Sequence, residues 1–382
     1  MESESEMNNK ENSQINLINE NNRMFGFLKK AFFPKTIIFS SLNNYLKTIE
    51  NKKCFLICSK SFLDNNPDCT TNLEVVDKYI LSGEPSINTL KECVDKINQI
   101  TEELFIIGIG GGSVVDLAKA VKKECNKQLI VIPTTPATGS EVTPFSVFVD
   151  QEEEKKEEER ERENKKTIIN SQKLLPDVVI LDPSYQKTIP KELHGYMVGD
   201  ILAHSIEAFL SKFSNPLSDV LALQSIKLID HTLSIDDYNK NIDKFWEKIQ
   251  IAGLLAGQAQ GMAATGLVHS FAHQFGAKYK IPHSKAVTIF LKDVIKLNLD
   301  NYDVNEKMSN LGYLKPEDLI SVIEKHQRLF NLQNDKMRIK VNNDFNMEEC
   351  INKIKRDVCS ATNPFRANDE QIKEIIEKHI EN

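Results

Sequence analysis

The sequence predicts an α/β domain with a parallel sheet, followed by an all-α domain. Between about residues 32 and 188, short apolar runs alternate with helical patterns, as expected for parallel strands covered on both faces. After about residue 190 the apolar residues recur at helical spacing with few strand signals. These two patterns separate the chain into halves of different architecture.

Composition and charge narrow the class of protein. The chain has 382 residues, of which 40% are hydrophobic and 27% charged, as in globular proteins. Its net charge is −7 and no basic face stands out, so we expect no nucleic-acid partner. The acidic start lacks a signal-peptide pattern and no long apolar run occurs, so we expect no membrane span. The odd, scattered set of seven cysteines indicates reduced thiols in a cytoplasmic protein.

The apolar runs give four buried strands in the first half. We predict them at residues 54–58, 104–107, 129–132 and 178–181. In the second half, residues 201–213, 218–231 and 245–273 show helical spacing.

A glycine-rich turn follows the second of these strands and leads into a helix. It contains Gly110, Gly111, Gly112 and Ser113. Glycines let the backbone approach an anion, and the N–H groups of a helix start bind phosphate. The spacing matches neither standard phosphate-binding fingerprint, and a tight turn without a ligand is the alternative.

A second polar turn follows the next strand and carries Thr134, Thr135 and Thr138. Two such turns after parallel strands fall on the same carboxyl edge of the sheet, where open α/β sheets bind ligands. The hydroxyls would suit a ribose or nicotinamide, although they could also cap a helix. Together the two turns favour a dinucleotide site.

Histidines and one aspartate cluster in the second half. Asp200 and His204 are four residues apart, as are His269 and His273, so each pair projects from one helical face. His283 follows a proline. A carboxylate with several imidazoles suits Fe²⁺ or Zn²⁺. The alternative, core histidines satisfied by backbone groups, fits a single histidine better than this set.

These motifs, in this order, resemble the iron-containing (group III) alcohol dehydrogenases from about residue 32 to the C-terminus. The matching segments are the glycine turn with Asp116 and Lys119, the threonine turn through Glu141, Asp200-x-x-x-His204 with Glu207, His269-x-x-x-His273, Pro282-His283 and Thr362-Asn363-Pro364. Composition predicts a disordered tail at residues 1–24, rich in Asn, Glu and Ser, and a solvated loop insertion or short charged helix at 152–163. The strand and helix patterns place the α/β domain at residues 25–189, and the resemblance implies that it binds the dinucleotide. An all-helical, metal-binding catalytic domain would follow at residues 190–382.

The resemblance also implies roles for individual residues. Asp200, His204, His269 and His283 would bind Fe²⁺ (or Zn²⁺), and His273 would assist proton transfer instead of binding the metal. The NAD(P) contacts that we expect are Ser59, Gly110, Gly111, Gly112, Ser113, Asp116, Thr134, Thr135, Thr138 and Lys166.

Ser59 bears on the choice of cofactor. It stands at the end of the first strand, where an enzyme that selects NAD often has an acidic residue on the ribose 2′-hydroxyl. A hydroxyl there, followed by Lys60, favours acceptance of NADP(H). The alternative is that Ser59 begins a turn and Lys60 faces solvent.

The implied reaction is reversible hydride transfer between NAD(P) and a small alcohol, aldehyde or ketone, with the metal lowering the alcohol's pKa. The family is often dimeric, so a homodimer is among the expectations. The sequence departs from the family pattern near the substrate pocket, at Val198, Gln260, Met262, Ser284 and Val287. Two alternatives stay open at this point: a lyase resembling dehydroquinate synthase, which also uses NAD and a metal, and a non-catalytic nucleotide-binding relative.

Overall fold

The computed structural model of the chain describes residues 30–49, 52–66, 68, 71–149, 166–233, 235–310, 315–332 and 337–381. The predicted tail at 1–24 and the charged insertion at 152–163 lie outside the described residues. No single helix in the described ranges is long and apolar enough to cross a membrane. By length and composition one pair of helices, bent by 101° at the break between them, could do so only together.

Strands occupy the first half of the chain. They are β1 (Thr36–Ile38), β2 (Lys53–Ser59), β3 (Glu74–Leu81), β4 (Phe105–Gly110), β5 (Leu129–Pro133), β6 (Phe145–Val149), β7 (Lys166–Asn170) and β8 (Val178–Ile180). Six of them form a parallel sheet in the order β1-β8-β5-β4-β2-β3, and β6 and β7 form an antiparallel pair.

The four strands predicted from apolar runs are confirmed as β2, β4, β5 and β8, which the structure buries almost completely. The sequence analysis missed β1, β3, β6 and β7. Strands β1 and β3 lie at the two edges of the six-stranded sheet and have exposed residues. Polar side chains therefore interrupt their apolar patterns.

Helices cover both faces of the sheet. They are α1 (Leu42–Leu46), α2 (Lys60–Asn65), α3 (Ile87–Asn98) and α4 (Gly112–Cys125). Phe55 and Ile57 of β2 belong to one apolar core, and Leu56 belongs to the other. Since successive side chains of a strand point to opposite faces, β2 needs apolar residues at every position. This is why its sequence is a continuous apolar run.

The second half is helical. Its helices are α5 (Lys191–Leu210), α6 (Pro216–Thr232), α7 (Ile235–Lys240), α8 (Ile242–Ala263), α9 (Leu267–Tyr279), α10 (His283–Asn301), α11 (Asn305–Asn310), α12 (Pro316–Leu329), α13 (Met347–Arg356), α14 (Val358–Thr362) and α15 (Asp369–His379). The predicted fold class is therefore confirmed. Two short parallel strands, β9 (Ile339–Lys340) and β10 (Ile380–Glu381), add a small pairing near the C-terminus.

The segment predicted to be helical at 245–273 forms two helices. Helix α8 ends at Ala263, and α9 begins at Leu267 after a sharp bend. Ala264 takes a φ of 61°, a left-handed conformation that a helix cannot contain. Apolar periodicity continues across the break because both helices are buried, which hides the bend from the sequence.

Helix α8 lies directly against the turn after β5, backbone to backbone. A Cβ atom added to Gly253 would stand 1.9 Å from the Pro136 carbonyl oxygen, and one added to Gly257 would stand 2.6 Å from the Gly139 Cα. No side chain fits at either position. These two glycines therefore set how closely the helical half approaches the sheet.

We expect Gly253→Ala to destabilise the protein by about 2–4 kcal/mol, because neither backbone can yield easily. Gly261→Ala is the matched control in the same helix, since its Cβ would meet Thr143 at an ordinary 3.5 Å. The control should be neutral or stabilising by up to about 1 kcal/mol, the gain in helix propensity. Urea unfolding of both variants measures the difference, and equal stabilities would contradict the close contact.

Candidate metal and nucleotide site

Three helices bring together the four residues predicted as metal ligands. Asp200 and His204 lie one turn apart on α5, and His269 lies in the first turn of α9. His283 is the first residue of α10, directly after Pro282. The bend between α8 and α9 aims the start of α9 at α5, so the cluster depends on that bend.

The ligand atoms of the four side chains converge. Each offers one atom, and all four atoms lie within 4.8 Å of one another. Asp200 Oδ1 is 3.7 Å from His204 Nε2, 3.8 Å from His269 Nε2 and 3.9 Å from His283 Nε2. A tetrahedron of ligands at about 2.1 Å from a metal has edges of about 3.4 Å. The observed separations are close to that arrangement.

Burial disfavours the charged forms of Asp200, His204 and His269. It raises the pKa of Asp200 well above its ordinary value, and it lowers the pKa of His204 far below its own. Burial also lowers the pKa of His269 to about 3. Asp200 Oδ1 and His269 Nε2 are buried without a hydrogen-bond partner. Unpartnered buried acceptors are costly, and unprotonated imidazoles are metal ligands, so this donor set fits a divalent cation.

Two acceptors orient the imidazoles. The Nδ1 of His204 lies 3.0 Å from the carbonyl oxygen of Ala137, and the Nδ1 of His269 lies 2.5 Å from Glu207 Oε2. With Nδ1–H donating, each Nε2 keeps its lone pair toward the cluster. Glu207 also accepts from the Val268 N–H at 2.6 Å, and burial raises its pKa to about 8.

His273 lies beside the cluster, one turn after His269 on α9, and has its own partner. Its Nδ1 is 3.0 Å from Asp357 Oδ2. Asp357 also accepts from the Ser270 hydroxyl at 3.1 Å and from the Cys359 N–H at 2.9 Å. Although burial alone would raise the pKa of Asp357, the hydrogen bonds from His273, Cys359 and Ser270 hold it below its usual value. An anchored carboxylate therefore orients His273.

The glycine turn begins where β4 ends and runs into α4. Gly110 is the last residue of the strand, and Gly111 caps the helix without a side chain, so first-turn N–H groups have no side-chain acceptor. Gly112 and Ser113 follow as the first helical residues and are partly exposed. This is the arrangement that binds anions at a helix start.

The threonine turn touches the glycine turn. A Cβ added to Gly112 would stand 2.7 Å from Thr138 Cγ2, and one added to Gly111 would stand 3.3 Å from Thr135 Oγ1. Thr134, Thr135 and Thr138 are all partly exposed. The two turns thus lie together at the carboxyl edge of the sheet, and the Ala137 carbonyl in the second turn links them to His204.

Asp116 lies beneath the turns and binds protein groups. Its oxygens accept from the Ser140 hydroxyl, from the Val147 N–H at 3.1 Å and from the ammonium of Lys119 at 3.4 Å. Lys119 is fully buried, which lowers its pKa, and it also donates to the Ser140 carbonyl at 2.8 Å. This network holds the threonine turn from below.

Ser59 ends β2 level with the glycine turn, because Cys58 pairs with Ile109 in the neighbouring strand. Its hydroxyl oxygen caps α2 by accepting from the Phe62 N–H at 3.3 Å. Lys60 forms an exposed ion pair with Asp64 at 2.8 Å. The side chain of Lys166, the last predicted cofactor contact, lies outside the described residues.

Comparison with known proteins identifies the family. A model described as "Iron-containing alcohol dehydrogenase" matches residues 29–183, and one described as "Fe-containing alcohol dehydrogenase family, C-terminal" matches residues 197–380. The chain belongs to the iron-containing alcohol dehydrogenases. It is an NAD(P)-dependent, metal-containing oxidoreductase that transfers a hydride between the cofactor and an alcohol or carbonyl compound. The family match favours this activity over the lyase alternative.

Three relatives illustrate the similarity. The chain is 30% identical to the NADPH-dependent butanol dehydrogenase of Clostridium saccharobutylicum over 87% of this chain and 92% of that protein. It is 33% identical to aldehyde-alcohol dehydrogenase 2 of Entamoeba histolytica, over 56% of this chain but 27% of that longer protein. The iron-containing alcohol dehydrogenase of Thermococcus thioreducens superposes with a TM-score of 0.74 at 25% identity, covering 91% and 98% of the two chains.

The sequence analysis gave no role to two residues that support the histidines. Glu207 stands three residues after His204 and seven after Asp200, so it shares their helical face, a signal that could have been used. Asp357 is 84 residues from His273. No local pattern links residues so far apart, and only the packing of the C-terminal helices brings them together.

Removing the Glu207 carboxylate should destabilise the metal-free protein. We expect Glu207→Ala to cost about 3 kcal/mol or more, because the Val268 N–H and His269 Nδ1–H would be left buried without an acceptor. Glu207→Gln keeps the shape and one acceptor oxygen, so its loss should be smaller by about 1–2 kcal/mol. Urea unfolding in the presence of a chelator measures both, and equal losses would contradict the assigned bonds.

Proposed function

We propose that this chain interconverts small aldehydes or ketones and their alcohols, with Asp200, His204, His269 and His283 holding Fe²⁺ or Zn²⁺. The observation that carries the proposal is the convergence of the four ligand atoms within 4.8 Å, with two of them buried and unpartnered. The cluster is open on the side of His283, whose side chain is 40% exposed. A substrate oxygen could therefore reach it.

The nicotinamide would lie between the glycine turn and the metal cluster. In this proposal the N–H groups of Gly111, Gly112 and Ser113 bind the pyrophosphate, aided by the close backbone approach at Gly110. Thr134, Thr135 and Thr138 supply hydroxyls to the nicotinamide half. Support comes from the contact between the two turns and from the bond between Ala137 and His204.

The metal would polarise the substrate oxygen and lower the pKa of a bound alcohol, while the nicotinamide gives or takes the hydride. The protein's own contribution is orientation and proton handling. Asp357 accepts from His273 Nδ1, so the Nε2 of His273 is left to accept the alcohol proton or pass it on. We assign Asp116 a positioning role, since its oxygens bind protein groups beneath the threonine turn.

The location and assembly of the enzyme are further proposals. Five described cysteines, Cys54, Cys93, Cys125, Cys350 and Cys359, are free thiols, three of them buried, which supports a reducing compartment such as the cytoplasm. A homodimer is supported by the family resemblance alone. Light scattering of the purified protein would test it.

Turnover and metal content test the assigned roles together. The native enzyme, loaded with Fe²⁺ or Zn²⁺, should oxidise NADH or NADPH when given a panel of short-chain aldehydes. His269→Ala should lose bound metal and activity, because it removes a ligand. His273→Ala should keep the metal, measured by elemental analysis, and lose activity by about 10²-fold or more.

Equal metal loss in the two variants would refute the distinction between His269 and His273. Native enzyme that holds metal but never changes the nicotinamide absorbance across the panel would refute the hydride transfer itself. A nucleotide-binding relative without activity would give that second result.

We also propose that the enzyme accepts NADP(H) at least as well as NAD(H). Ser59 stands level with the glycine turn, and its oxygen caps α2. Its hydroxyl also shares a hydrogen bond with the Ser61 hydroxyl at 3.2 Å, which a phosphate oxygen could replace as the acceptor. Lys60 forms an exposed ion pair with Asp64, which contributes little to stability but partly neutralises the lysine charge. The proposal therefore rests on Ser59. The butanol dehydrogenase relative is named NADPH-dependent, which supports the proposal.

Ser59→Asp should lower kcat/KM for NADPH by about tenfold or more relative to NADH, because a carboxylate repels a 2′-phosphate. Aspartate is also a good helix cap, so the fold should tolerate it. Asn65→Asp is the matched control, since it adds the same charge at the other, exposed end of α2. The proposal fails if the native enzyme strongly prefers NADH, or if both variants change the cofactor ratio equally.

A further inference from the structure

A cavity of about 480 Å³ opens at the edge of the sheet opposite to the glycine turn. Its lining includes Thr36 and Val178, the first residues of β1 and β8, and Gln128, which directly precedes β5. Gly110, the last residue of β4, and Thr134, which directly follows β5, lie at the opposite edge of the sheet. Since β5 spans about 17 Å, this cavity is separate from the proposed cofactor cleft.

Five lysines converge on this cavity from four separate segments. Lys35 precedes β1, Lys122 and Lys123 lie in the last turn of α4, Lys127 follows that helix, and Lys173 lies in a 3-10 turn after β7. Lysines in the last turn of a helix stabilise its negative end, which accounts for two of them. That role does not explain why three lysines from elsewhere face the same cavity.

The local charge is strongly positive in a chain whose net charge is −7. Asp177 is the acidic lining residue, and it pairs with Lys35 at 2.5 Å and with Lys122 at 3.3 Å. Glu124, outside the lining, pairs with Lys123 at 2.6 Å. Five positive charges less these two negative ones leave three. Within the described ranges, Lys127 and Lys173 have no carboxylate partner.

The volume and the charge fit one class of ligand. A cavity of this volume is in the range of small-molecule sites, and the side-chain amides of Asn126 and Gln128 add hydrogen-bonding groups to the lysine point charges. Three uncompensated positive charges spread over the cavity exceed what one phosphate group would neutralise. A chain of two or three linked phosphates matches the charge and fits within the volume.

We propose that this cavity binds the phosphate chain of an oligophosphate, at a site distinct from the dinucleotide cleft. Inorganic oligophosphate and a nucleoside triphosphate share this chemistry, and binding measurements can separate them. Inorganic tripolyphosphate carries the phosphate chain alone, whereas ATP adds a nucleoside and AMP retains a single phosphate.

The test is calorimetric titration of the full chain with tripolyphosphate, ATP and AMP, with NADPH present at saturation to fill the cofactor cleft. We expect saturable binding of tripolyphosphate and ATP that weakens with added salt, and much weaker binding of AMP. Equal affinities for tripolyphosphate and ATP would mean that the phosphate chain is recognised by itself. Tighter binding of ATP would mean that the nucleoside also contributes.

The triple variant Lys123→Gln, Lys127→Gln, Lys173→Gln should weaken tripolyphosphate binding by about tenfold or more. It leaves the pairs of Asp177 with Lys35 and Lys122 in place, so the fold should be retained. The matched control, Lys296→Gln, Lys315→Gln, Lys340→Gln, removes the same charge from exposed positions in the helical half and should change affinity less than about twofold. If the triple variant unfolds, the single variant Lys173→Glu replaces it, and it should also weaken tripolyphosphate binding.

Three results would overturn the proposal. They are absence of saturable tripolyphosphate binding by the native chain at saturating NADPH, equal weakening in the two triple variants, and tripolyphosphate binding that occurs only when NADPH is left out. The last would show that the anion occupies the cofactor cleft.

Discussion

The backbone of residues 136–139 is packed without intervening side chains against helix α8, and much of the site depends on that contact. Gly253 and Gly257 admit the turn because a Cβ at either position would overlap its backbone. The same four residues present Thr138 to the glycine turn and the Ala137 carbonyl to His204. Gln260, a departure from the family pattern, donates to the Thr138 carbonyl at 2.9 Å. The nucleotide cleft and the metal cluster are therefore fixed relative to each other by one short segment.

The four proposed metal ligands place polar groups in the protein interior, where such groups are costly. Asp200, His204 and His269 are nearly fully buried, and two of their ligand atoms have no partner. Such a cluster costs stability unless a cation compensates it, so its persistence in a well-packed helical core is an argument for function. Outer partners limit the cost: Glu207 orients His269, and Asn363 accepts from the Leu267 N–H at 3.2 Å, which fixes the start of α9.

The C-terminal helices complete the site from a distance. Asp357 precedes α14 and reaches His273 on α9, while Asn363 ends α14 and exchanges hydrogen bonds with Asn298 on α10. The helices that carry His269, His273 and His283 are thus held by a segment that supplies none of the proposed ligands. Substitutions of Asp357 or Asn363 should act through the orientation of the histidines, because Asp357 contacts the His273 imidazole and Asn363 contacts the start of α9.

The sequence by itself determined the fold class, the central strands, the two polar turns and the helical pairs of the aspartate and histidines. Those features depend on short-range regularities: apolar runs, glycines after a strand, and ligand pairs four residues apart on a helix. Tertiary structure alone decided the edge strands, the bend between α8 and α9, the partner of His273 and the lysine-lined cavity. Each of these depends on packing between segments distant in the chain, as with His273 and Asp357, and local periodicity carries no information about which distant segments meet.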